Sequence, residues 1–471
     1  MVFSSISFLC FFLPALLAVY YITPVRFRRG RNLILLAGSL IFYAWGGSKY
    51  LLLLLLSVTV NYICGFLAAE GTGRTEAFRK GAVGFAAAAG IGLLFVFKYT
   101  GFFARTLNRM GADVPVPEIA LPIGISFFTF QGLSYVIDVY RGHARVQRDP
   151  MNVALYILLF PQLVAGPIVR YATVSESILN RRETVPLFSE GAVRFCVGLA
   201  KKMVLANSMG QLADAVYAKP PESLPALLAW LGAIAYTFQI YFDFSAYSDM
   251  AIGLGKMFGF RFEENFNYPY ISTSITEFWR RWHISLSTWF RDYVYIPLGG
   301  NRCSEPKHIR NLTVVWLLTG LWHGANWTFL FWGVWHLLLL LGEKYLWGGF
   351  FRRMPGPAQY LLTMLAVTLG WVLFRSDTIV QAFGIAAAMF GGGDGVLSGE
   401  TIYYLKLYLP ALLLCGAASW PVRTAAERFL EGRKAFRALN WLPKLYALAM
   451  LALSYLLLAT GSFNPFIYFQ F

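Results

Sequence analysis

Stretches of about 20 mainly apolar residues recur along the whole chain, and a transmembrane helix needs a stretch of about that length. Hydrophobic residues make up 57% of the sequence and charged residues only 14%. A soluble domain must cover itself with more charge than this. We therefore predict an all-α polytopic membrane protein with about 11–12 transmembrane helices, together with re-entrant and interfacial helices.

The apolar windows place the predicted spans at defined positions. They are 3–23, 32–47, 50–69, 82–98, 119–138, 191–209, 225–254, 311–323, 326–345, 359–374, 402–420 and 444–462. Arginines follow the first window directly, and no small-residue cleavage site separates them from it, so we expect a retained span rather than a cleaved signal peptide.

The formal net charge of +16 is compatible with nucleic-acid binding, but insertion alone accumulates Lys and Arg on cytoplasmic loops. Six basic segments follow alternate spans, at 26–31, 74–80, 141–148, 280–310, 344–353 and 423–444. All six lie on one side of the membrane if both termini are extracytoplasmic. We adopt this topology and predict contact with membrane lipid and no nucleic-acid partner.

Two stretches do not fit full spans. The segment 151–170 is apolar but is broken by Pro161 and Pro167, which indicates a re-entrant segment lining a cavity. The segment 258–310 is too polar to span, and its interleaved aromatic and Arg residues are typical of helices at the cytoplasmic interface. Without internal repeats or linkers, we predict one domain, 1–471, with a catalytic core at 119–345.

Two histidines lie 40 residues apart in very aromatic surroundings, and the chain has only five His. Ionisable residues at membrane depth are candidates for function. His323 ends a short apolar span and precedes Gly324 and Asn326, so we expect the helix to break there. It is a candidate general base, and an aromatic-belt His with one hydrogen bond is the equal alternative. For His283, a headgroup-level polar residue is the stronger interpretation from spacing alone.

Polar side chains also interrupt the apolar spans. Asp243, Ser245 and Asp249 lie where a lipid-facing helix would carry Leu, and a charged Asp at a helix centre costs about 2.5–3.5 kcal/mol. Lining of a wet pocket and hydrogen bonding between helices explain them equally well. Gln131 is a weaker candidate for pocket lining. The five Cys form no Cys-x-x-Cys pair, and we predict no metal site.

Six segments together resemble the membrane-bound O-acyltransferase family, and in particular its bacterial alginate O-acetyltransferase branch. They are 122–127, 161–167, 241–253, 278–283, 295–300 and 321–324, in family order through most of the chain. The resemblance implies that His323 is catalytic and that His283 occupies the second, variable polar position. Further residues in and near these segments are expected to bind substrate: Trp322, Asn326, Arg280, Arg281, Trp282, Asp243, Ser245, Asp249, Gln131 and Gln162.

The resemblance also implies a reaction. A thioester donor, acetyl-CoA or an acidic acyl carrier protein, would enter from the cytoplasm, and no cofactor would be tightly bound. The acceptor would be a hydroxyl of an extracytoplasmic polysaccharide, or a partner acetyltransferase, at a bacterial inner membrane. Direct transfer and an acyl-enzyme relay both remain open.

Two other functions fit parts of the sequence. D-alanyl transfer from a carrier protein to teichoic acid uses the same kind of chemistry. A polysaccharide or solute transporter would use polar membrane residues without covalent change, but it predicts paired broken helices and repeated halves. The sequence has one clear broken segment and no repeat.

Overall fold

The computed structural model describes residues 1–71, 73–422, 441–461 and 463–467, and these residues form helices and no β-strand. The chain divides into two compact units, Met1–Phe195 with Ser248–Glu263, and Cys196–Tyr247 with Glu264–Phe471. The all-α class predicted from the sequence is confirmed, and the single domain stays a prediction. Of the basic segment 423–444, residues 423–440 lie outside the described part of the chain.

The helices that begin in the first unit range from 3 to 20 residues in length. They are Ser7–Phe12, Leu13–Ile22, Arg28–Gly47, Ser48–Tyr50, Leu51–Ala68, Glu76–Leu94, Phe95–Tyr99, Thr100–Arg109, Ile125–Tyr140, Pro150–Leu158, Phe160–Leu163, Tyr171–Asn180 and Val185–Ala200. The helices Val185–Ala200 and Ala226–Met257 each contribute residues to both units.

The second unit holds the remaining helices. They are Lys201–Ala206, Asn207–Tyr217, Pro221–Ser223, Pro269–Ile271, Ile275–Arg281, Ile284–Phe290, Arg291–Tyr295, Glu305–His323, Trp327–Tyr345, Gly348–Phe351, Gly356–Arg375, Ile379–Ala387, Ala388–Gly392, Gly399–Ala418 and Leu442–Ala459.

Every predicted span overlaps a helix. Six described helices are long and apolar enough to cross a membrane, and they are Arg28–Ala68, Glu76–Arg109, Ala226–Met257, Gly356–Arg375, Gly399–Ala418 and Leu442–Ala459. The chain is thus a multi-pass membrane protein. One shorter apolar helix, Ile379–Gly392, was not predicted, because it is too short to fill a spanning window. The window 119–138 begins too early, since Gly124 takes a φ of 73° and the helix starts only at Ile125.

The predicted break in 151–170 is present. The helix Pro150–Leu158 is followed by Leu159, which has a ψ of 114°, and a short helix then spans Phe160–Leu163. Pro161 lacks an N–H and its ring obstructs the preceding turn, which interrupts the helix. The Phe160 backbone N–H donates instead to Ser39 Oγ at 3.0 Å, so the broken backbone keeps a partner inside the protein.

Two helices bring His323 to a turn. Glu305–His323 and Trp327–Tyr345, called here the His323 hairpin, approach so closely that a Cβ on Gly320 would lie 2.6 Å from the Phe329 carbonyl oxygen. Gly324 is extended, with φ −172° and ψ 156°. The Asn326 side chain then caps the second helix by accepting from the Thr328 N–H at 3.3 Å. The predicted helix break after His323 is therefore present.

Candidate active site

His323 is the last residue of its helix and is 5% exposed. Three aromatic rings stand nearly perpendicular to the imidazole. The ring centroids of Trp322 and Trp332 lie 5.0 Å from it, and that of Phe374 lies 5.1 Å from it. The imidazole thus sits in an apolar, mostly dry environment, in which a proton transfer would have little competition from bulk water.

His283 joins the short helices Ile275–Arg281 and Ile284–Phe290, and its backbone is left-handed, with φ 43° and ψ 53°. Its Nδ1 lies 3.1 Å from Asn265 Oδ1. The Ser285 backbone N–H also donates to this oxygen, at 3.2 Å. Because Asn265 Oδ1 is therefore an acceptor, we assign the His283 proton to Nδ1 and a lone pair to Nε2.

The Nε2 atom of His283 is buried and makes no hydrogen bond to a described residue. Burial also lowers the pKa of His283, to about 3. The imidazole is therefore neutral at ordinary pH and presents an unprotonated nitrogen that can accept a hydrogen bond. Trp322 connects the two histidines, because its ring lies 5.9 Å from that of His283 and 5.0 Å from that of His323.

A polar cavity of about 160 Å³ lies near His323, which does not itself line it. Phe374 lines this cavity and its ring also contacts the His323 imidazole, so one aromatic side chain borders both. Asn326, three residues after His323, lines the cavity as well, and its Nδ2 donates to the Asp377 carbonyl at 2.9 Å.

The cavity wall carries charge and unused hydrogen-bonding groups. Arg375 Nη2 lies 2.7 Å from Asp214 Oδ1. Tyr236, Gln239 and Thr328 also line the cavity. The Tyr236 hydroxyl, Gln239 Oε1 and Thr328 Oγ1 are buried and have no hydrogen-bond partner among the described residues. Buried polar groups normally have a partner, so these three atoms are positioned to bind a polar ligand.

The arginines predicted to bind substrate lie away from this cavity. Arg281 Nε donates to Glu277 Oε1 at 3.0 Å, while Arg280 is exposed. Burial raises the pKa of Glu277, but hydrogen bonds from Thr273 and Arg281 outweigh it and lower the pKa. Trp282 is 3% exposed and packs at 4.7 Å against the Trp371 ring, in the aromatic core.

Asp243 and Ser245 are buried in the helix Ala226–Met257. Asp243 pairs with Lys202, with 2.7 Å between Oδ1 and Nζ. The Ser245 hydroxyl has no hydrogen-bond partner in the described part of the chain. Neither residue lines the polar cavity.

Comparison with known proteins decides the family. A model of the membrane-bound O-acyltransferase family matches residues 133–358. The chain is 41% identical to the probable alginate O-acetylase AlgI of Azotobacter vinelandii over 100% of both chains. It is 45% identical to that of Pseudomonas aeruginosa over 84% of this chain and 76% of the relative. It is 31% identical to the peptidoglycan O-acetyltransferase of Helicobacter pylori over 100% of this chain and 98% of the relative.

The chain belongs to the membrane-bound O-acyltransferase family. This MBOAT protein is an O-acyltransferase. The matched region contains His283 and the whole His323 hairpin, whereas Phe374 and Arg375 of the cavity wall lie beyond it.

Three predicted site residues of this MBOAT chain belong to the first unit. Gln131 is fully buried, and neither of its amide atoms has a partner among the described residues. Gln162 donates to the Tyr156 carbonyl and lines a small apolar pocket. Asp249 accepts from Arg194 at 2.8 Å. Of the predicted residues, ring contacts bring together His323, His283 and Trp322, and Asn326 lines the nearby cavity.

Sequence reasoning missed several residues at the MBOAT site. They are Asp214, Tyr236, Gln239, Thr328, Trp332, Phe374, Arg375 and Asp377. It also passed over His336, which is fully buried in the helix Trp327–Tyr345. The criterion applied to His323, a histidine within a predicted span, applies equally to His336 and would have found it.

Proposed function

We propose that this protein transfers an acetyl group from cytoplasmic acetyl-CoA across a bacterial inner membrane to a hydroxyl group of an extracytoplasmic polysaccharide, directly or through a partner acetyltransferase. The observation that carries the proposal is the polar cavity near His323.

The cavity residues come from span ends that the charge pattern assigns to one side. Asp214 follows the sixth predicted span, Asn326 separates the eighth from the ninth, and Arg375 ends the tenth. With both termini outside, all three positions are extracytoplasmic. An acceptor that approaches from outside therefore meets the cavity before it meets the imidazole.

The side chains that line the cavity are of the kinds that bind sugars. Carboxylate and amide oxygens accept hydrogen bonds from sugar hydroxyls, and Arg375 donates them. The unpaired Tyr236 hydroxyl, Gln239 Oε1 and Thr328 Oγ1 would gain partners on binding. The alginate and peptidoglycan O-acetyltransferases among the relatives are named for carbohydrate polymers.

In the proposed step, His323 accepts the proton of the acceptor hydroxyl while its oxygen attacks the thioester carbonyl carbon. The new C–O bond forms, the C–S bond breaks, and the thiolate of CoA leaves and takes the proton back from the imidazolium. His283 lies on the donor side, where the predicted cytoplasmic segment 258–310 carries the exposed Arg280. This basic surface suits the phosphates of CoA. Proximity in a dry site would supply much of the rate.

The test uses purified protein in lipid nanodiscs with radiolabelled acetyl-CoA and oligosaccharides of alginate or peptidoglycan. We expect label in the oligosaccharide with the native protein and a loss of about 10²–10⁴-fold in His323→Ala. The matched control is His143→Ala, which removes an exposed histidine and should retain transfer.

Three results would contradict parts of the proposal. Equal transfer by the native protein and His323→Ala would remove the imidazole from the reaction. Transfer from a D-alanylated carrier protein and not from acetyl-CoA would show that acetyl-CoA is not the donor and would favour the teichoic-acid reaction. Transport of unmodified oligosaccharide without label transfer would favour the transporter.

A further inference from the structure

The second unit contains a buried ion pair whose role the reaction does not explain. Lys202 and Asp243 are separated by 2.7 Å, and their side chains are 3% and 2% exposed. Burying two charges is costly unless their other hydrogen-bonding positions are also satisfied. The groups that satisfy those positions therefore indicate what the pair is for.

Backbone atoms of residues 463–467, called here the tail, form hydrogen bonds with both members of the ion pair. Lys202 Nζ donates to the Pro465 carbonyl, and the Ile467 N–H donates to Asp243 Oδ2 at 2.9 Å. The Phe466 ring, between these two contacts, stacks on Tyr247 with 4.8 Å between centroids. The ion pair thus holds the tail by two charge-assisted hydrogen bonds, one from each charge.

The clamped tail forms part of the polar cavity. Pro465 and Ile467, the residues held by Lys202 and Asp243, both line it. A Cβ on Gly210 would lie 3.1 Å from the Phe463 ring, so the tail also fits tightly against the helix Asn207–Tyr217. Displacement of the tail would remove one wall of the cavity.

We propose that the Lys202–Asp243 ion pair is a clamp that positions the tail as a wall of the acceptor cavity. Lys202 and Asp243 are then positioning residues that act on the acceptor through Pro465 and Ile467. The acceptor part of this inference rests on the proposed function, whereas the clamp itself does not. If the ion pair served only to join its two helices, removing both charges would not change the position of the tail.

The clamp is tested with a reporter thiol. Ile467→Cys is introduced after the five native cysteines are replaced by alanine, and its labelling by a charged maleimide is timed in nanodiscs. Ile467 is 5% exposed, so labelling should be slow. The double variant Lys202→Met with Asp243→Leu removes both charges and leaves no unpaired ion, which protects folding. It should raise the labelling rate at least about tenfold.

The matched control is the partly exposed pair Lys219–Glu400, whose side chains are 33% and 40% exposed. Lys219→Met with Glu400→Gln should leave the labelling rate unchanged. A melting temperature and a monodisperse elution profile for each variant show that the helices remain folded. An unchanged labelling rate in the folded Lys202–Asp243 double variant would overturn the clamp.

The functional arm measures acetyl transfer without the reporter. The Lys202–Asp243 double variant should lower kcat/KM for the oligosaccharide about tenfold and leave KM for acetyl-CoA unchanged. Fast labelling with unchanged acceptor kcat/KM would overturn the positioning role. Failure of the native protein to acetylate any oligosaccharide would refute direct transfer to the polysaccharide, and the labelling rates would still decide the clamp.

Discussion

Trp279 donates its indole N–H to Nδ1 of His336 at 3.2 Å, and the two rings are perpendicular at 4.9 Å. An imidazole nitrogen that accepts a hydrogen bond carries no proton, so in neutral His336 the proton is on Nε2. The bond joins the short helix Ile275–Arg281, which precedes His283, to the second helix of the His323 hairpin. It therefore links the segments that carry the two candidate catalytic residues.

Trp279→Phe should lower the free energy of unfolding by about 1–3 kcal/mol, because Nδ1 of His336 is left buried without a donor. The unfolding temperature in detergent measures the loss. Trp45→Phe is the control, since Trp45 is 66% exposed and its replacement should have little effect. If the two variants unfold at the native temperature, the hydrogen bond contributes nothing.

Burial of neutral His283 should make the folded protein less stable as the pH falls. Its pKa is about 3 when folded and 6.5 in the reference state, so the unfolded chain binds the extra proton between these values. Stability is therefore complete above pH 6.5 and falls as the pH drops toward 3. At about pH 5.5 the loss is about 1.4 kcal/mol for this group.

His283→Gln should remove this contribution and make the curve of unfolding temperature against pH less steep between about 7 and 5. Some slope should remain, because burial also lowers the pKa of His308. His143→Gln, at an exposed position, should keep the native curve.

Protonation of Glu183 does not change the stability between pH 7 and 5. Burial raises its pKa, but bonds from Arg28 and Tyr20 outweigh that and lower it to about 2, so its effect begins below 4.5. A native slope in His283→Gln would contradict burial of the neutral imidazole.

The turn that presents His323 could be predicted because its chemistry is local. Glycine and asparagine after an apolar run commonly end one helix and cap the next, as Gly324 and Asn326 do, and the histidine beside them is visible in the sequence. The broken segment 151–170 was predictable for the same reason, since Pro161 acts on its own helix.

The polar cavity could not be predicted, because its wall is assembled from distant parts of the chain. Asp214 and Arg375 each resemble an ordinary charged residue at a span end, and only their 2.7 Å contact gives them a common role. The same holds for Asp243, whose partner Lys202 is on another helix. Pairings between helices depend on packing that one sequence does not contain.

Arg375→Gln should weaken acceptor use. Arg375 pairs with Asp214 in the cavity wall, and its guanidinium lies 5.3 Å from the centroid of the Tyr217 ring. The planar group can donate several hydrogen bonds at once, which a neutral amide replaces poorly. We expect kcat/KM for the oligosaccharide to fall about tenfold and KM for acetyl-CoA to stay unchanged.

Steady-state acetyl transfer at varied acceptor and donor concentrations provides both constants. The control is Arg352→Gln, which alters an exposed arginine outside the cavity. If Arg375→Gln raised KM for acetyl-CoA instead, the cavity would belong to the donor.

Adding one methyl group to the His323 hairpin should impair both folding and catalysis. A Cβ on Gly320 would lie 2.6 Å from the Phe329 carbonyl oxygen, and one on Gly333 would lie 2.5 Å from that of Trp316. Both obstacles are backbone atoms, so the helices must separate to admit the methyl group. Gly320→Ala should therefore cost about 1–3 kcal/mol of stability.

Gly416→Ala is the matched control, because it also lies within a helix and its Cβ would meet nothing within 4 Å. Removing that glycine should be neutral or stabilising by roughly 0.5–1 kcal/mol. In Gly320→Ala, kcat should fall along with the unfolding temperature, because the methyl group lies one turn before His323 and displaces its imidazole. A lower unfolding temperature with native kcat would show that the hairpin can open without moving the imidazole, and the close packing would then serve stability alone.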